Sequence, residues 1–162
     1  MKDLSELSQQ LAKVLLDKGM QLAVAESCTG GWLAKCLTDV AGSSTWFERG
    51  FVTYSNAAKR EMLGVSTGTL AEHGAVSEAV VREMAQGVLA HSPADIAVAI
   101  SGIAGPGGGT PDKPVGMVCF AWAARDGFAE VVTCRFDGDR DAVRRHAVRH
   151  ALERLPDLLA HG

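Results

Sequence analysis

The order of hydrophobic and polar residues predicts helices that alternate with buried strands along most of the chain. Leu4, Leu7 and Leu11 recur at helical spacing, and Gly19 ends this first predicted helix. The continuous apolar run 96–100 is typical of a central strand that is covered on both faces. The other predicted strands are 21–26, 51–54, 115–123 and 129–136, and the other predicted helices are 29–37, 57–63, one that begins after Ser77 and one that begins after Asp139.

The dipeptide Asp126-Gly127 is a strong signal for a tight hairpin, so the last two predicted strands are expected to pair antiparallel. Helices and strands interleave elsewhere, which predicts a three-layer α/β/α sandwich on a mixed, mostly parallel sheet of about five strands. The length of 162 residues, 47% of them hydrophobic, predicts one domain spanning 1–162. Pro156 is expected to kink or shorten the end of the last helix.

Composition and charge narrow the function classes. The net charge of −3 and the pI near 5.9 make nucleic acid an unexpected partner. The longest apolar runs fall well short of the roughly 20 residues that span a bilayer, so no membrane association is expected. The first six residues lack the apolar core of a signal peptide, which predicts a cytoplasmic protein whose four cysteines are free thiols. A symmetric homodimer is the default expectation.

Ser27 is the first candidate catalytic residue, because it follows a buried strand and precedes a helix. This placement aims its hydroxyl at free N–H groups at the positive end of the helix. A nucleophile and an oxyanion hole are both possible there, with N–H groups of Thr29, Gly30 and Gly31 as expected donors. An ordinary N-cap serine is the alternative interpretation. Glu26 is not expected to act as the base, because side chains alternate along a strand.

Tyr54 and Lys59 form the second candidate group. Tyr54 ends a predicted strand, and Lys59 lies in the helix that follows. If this strand runs parallel to the one before Ser27, both carboxyl ends lie at the edge of the sheet where ligands bind. A lysine held partly out of water loses some preference for its charged form and can accept the serine proton, with Tyr54 as a relay. A strand-end aromatic and a solvated charge are the alternative.

The glycine-rich segment 101–114 follows the central strand directly. A structureless connection of this length is typical of a functional loop, and glycine N–H groups can surround an anion. The segment matches neither the Walker A nor the Rossmann pattern. Its candidate substrate-binding residues are Ser101, Gly102, Gly105 and Gly107. A flexible surface loop is the alternative.

Arg140 is a candidate phosphate ligand, because it begins the last predicted helix, where a guanidinium and helix N–H groups favour an anion. The nearby Arg144, Arg145 and Arg149 are expected to form a solvated basic face.

Five motifs in order along nearly the whole chain resemble those of the CinA C-terminal domain family. They are 25–31, 50–56 together with Lys59, 73–77, 101–106 and 138–140. The resemblance implies hydrolysis of the carboxamide of nicotinamide mononucleotide to nicotinate mononucleotide and ammonia, as part of pyridine nucleotide recycling. It also implies a serine nucleophile assisted by a tyrosine and a lysine, with no metal and no cofactor.

Carried over by motif, these roles fall on Ser27, Tyr54 and Lys59, and the matched motif adds Asn56 to the candidate substrate-binding residues. The one histidine near these segments is His73, which is expected in a loop, and this favours Ser-Lys chemistry over a Ser-His-Asp triad. Three alternatives stay open. They are a nucleotide-binding module without turnover, an amidase for another carboxamide, and a nucleic-acid-associated protein, against which the acidic pI argues.

Overall fold

A five-stranded sheet lies between two layers of helices in the computed structural model of the protein, which describes residues 2–160. Met1, His161 and Gly162 fall within the predicted domain but lie outside the described residues. The strands are β1 Leu22–Glu26, β2 Phe47–Val52, β3 Ile96–Gly102, β4 Met117–Ala124 and β5 Ala129–Arg135. The α-helices are α1 Leu4–Lys18, α2 Trp32–Thr38, α3 Asn56–Leu63, α4 Thr67–His73, α5 Glu78–Ala90 and α6 Arg140–Ala160.

The strand order in the sheet is β2-β1-β3-β4-β5. β1 pairs in parallel with both β2 and β3, whereas β4 runs antiparallel to β3 and β5. Four of the five strands therefore point in one direction. This confirms the predicted sandwich on a mixed, mostly parallel sheet, and it confirms the predicted hairpin, in which Ala123 pairs with Ala129.

The two faces of the central strands differ in side-chain size. One face carries large apolar residues that pack against α1, α2 and α6, including Leu22, Val24, Phe120 and Trp122. The opposite face of β1 and β3 carries small residues that pack against α5 and its neighbours, namely Ala23, Ala25, Ala97, Ala99 and, at the end of β3, Ser101. Because small residues let a helix approach closely, α5 packs closely against this face of the sheet.

Three local predictions differ from the structure. β2 begins at Phe47, four residues earlier than predicted, because it is a half-exposed edge strand whose polar residues hide the alternation. His73 ends helix α4 rather than lying in a loop. The start of α4 is supported by Glu83 of α5, whose carboxylate accepts a hydrogen bond from the Ser66 N–H. Helix α6 continues through Pro156 to Ala160, so the predicted shortening is wrong.

Candidate active site

The ends of three neighbouring parallel strands bring the candidate residues to one edge of the sheet. Ser27 follows β1 directly, and its N–H donates to the Ile100 carbonyl of β3 at 3.0 Å. The Thr53 N–H after β2 donates to the Glu26 carbonyl at 2.9 Å. The hydrogen-bond ladder thus extends one residue beyond β1 and one residue beyond β2. This fixes the backbone that carries Ser27 and its neighbours.

Ser27 and Lys59 form a buried pair. The Lys59 Nζ lies 3.0 Å from the Ser27 Oγ, 2.8 Å from the Thr53 carbonyl oxygen and 3.4 Å from the Tyr54 carbonyl oxygen. The Lys59 side chain is only 1% exposed and Ser27 is 7% exposed. The distance between serine and lysine is the one needed for direct proton transfer.

Burial lowers the pKa of Lys59 from its ordinary value, because removal from water penalises the ammonium form. A neutral amine keeps two N–H donors and one lone pair. When the carbonyls of Thr53 and Tyr54 accept those two donors, the lone pair of the neutral form is directed at the Ser27 hydroxyl, whereas the ammonium form donates to the Ser27 Oγ. The site therefore suits a lysine that accepts the serine proton.

Tyr54 lies at the rim of the site rather than at its centre. Its side chain is 62% exposed, and its hydroxyl accepts a hydrogen bond from the Arg140 Nη2 at 3.3 Å. Arg140 also donates through Nη1 to the Gly105 carbonyl at 2.8 Å. Within residues 2–160 the Tyr54 hydroxyl makes no hydrogen bond to Ser27 or Lys59. The predicted proton relay through Tyr54 is thus not formed in this geometry.

Glu26 holds the start of α2 instead of facing the nucleophile, as the alternation along β1 predicts. Its carboxylate is 1% exposed and accepts hydrogen bonds from the Leu33 N–H at 2.9 Å and the Ala34 N–H at 3.0 Å. The Thr29 hydroxyl donates to the same carboxylate at 2.6 Å. A buried carboxylate thus satisfies helix N–H groups that would otherwise lack a partner.

In the turn after Ser27, one of the predicted oxyanion donors is already hydrogen-bonded within the turn itself. The Gly30 N–H donates to the Ser27 carbonyl at 3.1 Å, and Thr29 is fully buried. Neither residue lines the pocket described below, and neither does Gly31. Cys28 does line it, and among the described residues no oxygen accepts a hydrogen bond from the Cys28 N–H. This N–H is therefore the better candidate donor.

The Cys28 thiol is a poor competitor for the nucleophile role. Burial raises the pKa of this thiol to about 11, and its own backbone N–H and the positive charge of Arg144 offset burial only in part. All four cysteines are free thiols, as the sequence predicts. Because the thiolate is the reactive form, Cys28 stays inert near neutral pH.

The glycine-rich loop is anchored at both ends and bounds the site. The Ile103 N–H donates to the Met117 carbonyl at 2.9 Å, and the Gly116 N–H donates to the Ile103 carbonyl at 2.8 Å. Gly102 leaves no room for a side chain, since a Cβ there would lie 2.7 Å from Val118 and 3.1 Å from the Cys28 Sγ. The loop is thus clamped next to Ser27, and Arg140 and the contact of Lys113 with the His73 carbonyl hold it further between its ends.

Ser101 is buried beneath this loop, and its hydroxyl donates to the Ala75 carbonyl at 2.9 Å. It contacts the pocket without a base beside it, so its geometry fits a wall residue better than a nucleophile. Asn56, in contrast, is an exposed first residue of α3 and does not line the pocket.

A pocket of about 260 Å³ joins these elements. It is lined by Ser27, Cys28, Tyr54, Lys59, Ala75, Val76, Ser101, Gly102, Ile103, Ala104, Gly105, Gly107, Gly108 and Arg140. The lining contains two basic side chains and no carboxylate. Because the Arg140 guanidinium stays charged even when Lys59 is neutral, this lining favours an anionic ligand in a protein whose net charge is −3.

A larger cavity of about 310 Å³ lies elsewhere in the described residues and has a different character. Its lining is mostly apolar, and its Glu130–Arg154 pair is already joined by two hydrogen bonds of 2.6 and 2.7 Å. It holds no serine, cysteine or histidine. The smaller pocket is therefore the candidate active site, because the reactive groups meet there.

No group of three His, Cys, Asp or Glu side chains within residues 2–160 is arranged to hold a metal ion. No helix in that range is both long and apolar enough to cross a membrane.

Arg144 was expected on a solvated face, and this prediction is wrong. Its Nε donates to the Cys28 carbonyl at 3.0 Å and its Nη2 donates to the Thr29 carbonyl at 3.2 Å. Its guanidinium carbon also lies 5.6 Å from the centre of the Trp32 ring. The one signal in the sequence is the spacing of four from Arg140, which places both arginines on the same face of α6.

The fold and the serine–lysine pair define an α/β protein with a candidate serine-nucleophile site. The model of the CinA C-terminal domain matches residues 4–159, and the chain belongs to that family. It is similar to the nicotinamide-nucleotide amidohydrolases PncC of Shigella flexneri and Escherichia coli. With each it shares 59% identity over 155 residues, which cover 94% of this chain and 93% of the relative.

Two solved structures are similar to this chain over nearly its whole length. The competence damage-inducible protein A of Klebsiella pneumoniae matches with a TM-score of 0.96 and 47% identity over 99% of both chains. The competence/damage inducible protein CihA of Agrobacterium tumefaciens matches with a TM-score of 0.94 and 48% identity, covering 98% of this chain and 96% of that chain.

Proposed function

We propose that the protein is a serine amidohydrolase that converts nicotinamide mononucleotide to nicotinate mononucleotide and ammonia, as a step of pyridine nucleotide recycling. The single observation that carries the chemistry is the buried Lys59 amine 3.0 Å from the Ser27 hydroxyl. The assignment of the substrate rests on the similarity to the nicotinamide-nucleotide amidohydrolases, which spans nearly the whole of both chains. The positively lined pocket supports an anionic nucleotide.

The reaction begins when Lys59 takes the Ser27 proton and the Ser27 Oγ attacks the carboxamide carbon. The carbonyl oxygen then carries the negative charge of a tetrahedral intermediate, and the Cys28 N–H is the proposed donor to it. Collapse of the intermediate breaks the C–N bond, and Lys59 returns its proton to the departing ammonia. Water then hydrolyses the acyl-enzyme, with Lys59 again acting as base.

The remaining candidate residues bind the substrate in this proposal. Arg140 has guanidinium donors beyond the two that hold Gly105 and Tyr54, and we assign them to the 5′-phosphate. Gly107 lines the pocket on the loop side. Tyr54 assists from the rim by holding the Arg140 guanidinium. Binding energy from the distant phosphate then orients the reacting amide.

Ammonia release from nicotinamide mononucleotide by the purified protein tests the proposal. We expect Ser27→Ala to lower turnover by several orders of magnitude, because the nucleophile is lost. Ser8→Ala is the matched control, since Ser8 is a buried serine of α1 that bonds only to the Leu4 carbonyl. Near-normal turnover by the Ser27 variant would refute the assignment. Tight binding of the substrate without ammonia release would favour a binding module instead.

A further inference from the structure

Arg144 joins helix α6 to the turn that carries the nucleophile. The guanidinium donates hydrogen bonds to two successive carbonyls of this turn, those of Cys28 and Thr29, at 3.0 and 3.2 Å. Its guanidinium carbon lies 5.6 Å from the centre of the Trp32 ring, and its Nη2 lies close enough to Gly30 that a Cβ there would approach to 3.4 Å. The two-point contact suits arginine, whose donors form a rigid fork.

With these contacts, three consecutive peptide groups after the nucleophile are fixed. The Ser27 carbonyl accepts from the Gly30 N–H, and the next two carbonyls accept from Arg144. Each peptide is planar and trans, so its N–H points opposite to its C=O. The held Ser27 carbonyl therefore sets the direction of the Cys28 N–H, and the two carbonyls held by Arg144 set those of the Thr29 and Gly30 N–H groups.

We propose that Arg144 is a positioning residue for the oxyanion hole: by holding the Thr29 carbonyl it orients the Gly30 N–H that binds the Ser27 carbonyl, and this keeps the Cys28 N–H of the same peptide aimed at the developing negative charge. The inference rests on the proposed serine chemistry and extends it to a residue outside the pocket lining. Donors that are held in place before the reaction stabilise an oxyanion without a cost of reorientation. A residue with this role acts on the transition state and little on substrate binding.

The structure offers a matched control on the same helix. Arg145 is exposed and places its guanidinium carbon 5.1 Å from the centre of the same Trp32 ring, but no hydrogen bond joins it to a described residue of the turn. Arg145→Gln therefore removes a charge and a Trp32 contact while it leaves the carbonyls held. Arg144→Gln removes the guanidinium that bonds to both carbonyls. Arg144→Lys keeps the charge but has a single donor nitrogen.

Steady-state kinetics with nicotinamide mononucleotide test the inference. For Arg144→Gln we expect kcat to fall about 10- to 100-fold, somewhat less than for loss of an oxyanion donor itself. KM should change less than about threefold, since ground-state binding is unaffected. Arg145→Gln should match the wild type. Added guanidinium ion should restore part of the kcat of Arg144→Ala, a rescue that a merely structural role would not give. A rise in KM at constant kcat would overturn the inference.

Labelling of Ser27 by a fluorophosphonate provides a readout that needs no natural substrate. Phosphonylation also passes through a charged oxygen, so Arg144→Gln should react more slowly than the wild type by a similar factor. Equal labelling rates would overturn the role of Arg144 alone. A wild type that is labelled at Ser27 but releases no ammonia from the nucleotide would refute the proposed substrate and leave the Arg144 comparison valid. A wild type that shows neither reaction would overturn both proposals.

Discussion

The Lys59 Nζ lies 3.0 Å from the Ser27 Oγ although 32 residues separate them in the chain. Parallel pairing of β1 with β2 places the two strand ends side by side. Ser55 then caps α3 immediately after β2, with its hydroxyl oxygen accepting from the Ala58 N–H at 3.0 Å. The early helix start turns Lys59 back over the strand ends, so the sheet and one cap together assemble the pair.

Lys59→Arg should be inactive although it keeps the positive charge, because arginine does not give up its proton in proteins. The wild-type kcat/KM should rise with pH along a limb whose midpoint lies below the ordinary lysine pKa of 10.5, since burial lowers the pKa of Lys59. Ammonia release measured across pH checks both points. Lys13→Arg, an exposed change on α1, is the control. An active arginine variant would reduce Lys59 to an electrostatic anchor.

The same lowered pKa has a consequence for stability. Because the folded protein holds the Lys59 proton less tightly than the unfolded chain, the unfolded chain binds more protons at pH values between the lowered pKa and 10.5. The free energy of unfolding therefore rises with pH in that window. Urea unfolding should show the wild type gaining stability relative to Lys59→Met as the pH approaches 10.5. A constant difference would indicate a lysine with an ordinary pKa.

Arg140→Ala should separate phosphate recognition from chemistry. We expect kcat/KM for nicotinamide mononucleotide to fall roughly tenfold or more, which corresponds to the ~1.5–3 kcal/mol of a charge-assisted hydrogen bond. Slow hydrolysis of nicotinamide riboside, which lacks the phosphate, should barely change. Arg82→Ala on the exposed face of α5 is the control. An equal loss on both substrates would show that Arg140 acts through its bonds to Gly105 and Tyr54 instead.

Cys28 should resist alkylation at neutral pH although it lines the pocket. With a pKa of about 11, its thiolate fraction is about one in several thousand near pH 7.5. Its rate of reaction with iodoacetamide should rise about tenfold per pH unit up to about pH 10 and level off only above pH 11, as followed by mass spectrometry of the labelled peptide. The urea-unfolded chain is the reference for an ordinary thiol. A plateau near pH 9 in the folded protein would contradict the raised pKa.

Two helix glycines should respond in opposite ways to alanine. Gly87 lies where α5 crosses the end of α3, and a Cβ there would overlap the Leu63 carbonyl oxygen. We expect Gly87→Ala to lower the free energy of unfolding by about 1–3 kcal/mol, as overpacking does. The exposed Gly68 of α4 meets nothing closer than 3.5 Å, so Gly68→Ala should raise it by up to about 1 kcal/mol. Urea unfolding of both variants checks the signs.

Much of the site geometry follows from strand order and could be predicted. A serine, a tyrosine and a glycine-rich loop each follow an apolar strand, and parallel strands bring their carboxyl ends together. This reasoning brings Ser27 close to the segment of Tyr54 and Lys59, and the structure has them there. It does not give the direction of the Tyr54 hydroxyl, which depends on Arg140, a residue 86 positions later in the chain.

The parts that sequence patterns missed depend on contacts between distant segments. Arg144 resembles its solvated neighbours along α6, and only the packing of that helix against the turn at Cys28 gives it buried carbonyl partners. Helix α4 is short, and the Glu83 carboxylate from another helix completes its start. Propensity within a short window carries no information on such partners.

The antiparallel direction of β4 makes the glycine-rich loop an exchangeable part. Because β3 and β4 run in opposite directions, the connection leaves and returns at the same edge of the sheet, and the Ile103 hydrogen bonds to Met117 and Gly116 close its base. Insertions, deletions or grafts within residues 107–114 need not disturb strand register, the buried Ala104 of the core or the hydrogen bond from Arg140 to Gly105. Evolution can therefore vary the loop for a new ligand while the serine and lysine stay fixed, and a protein engineer can exchange residues 107–114 as a cassette.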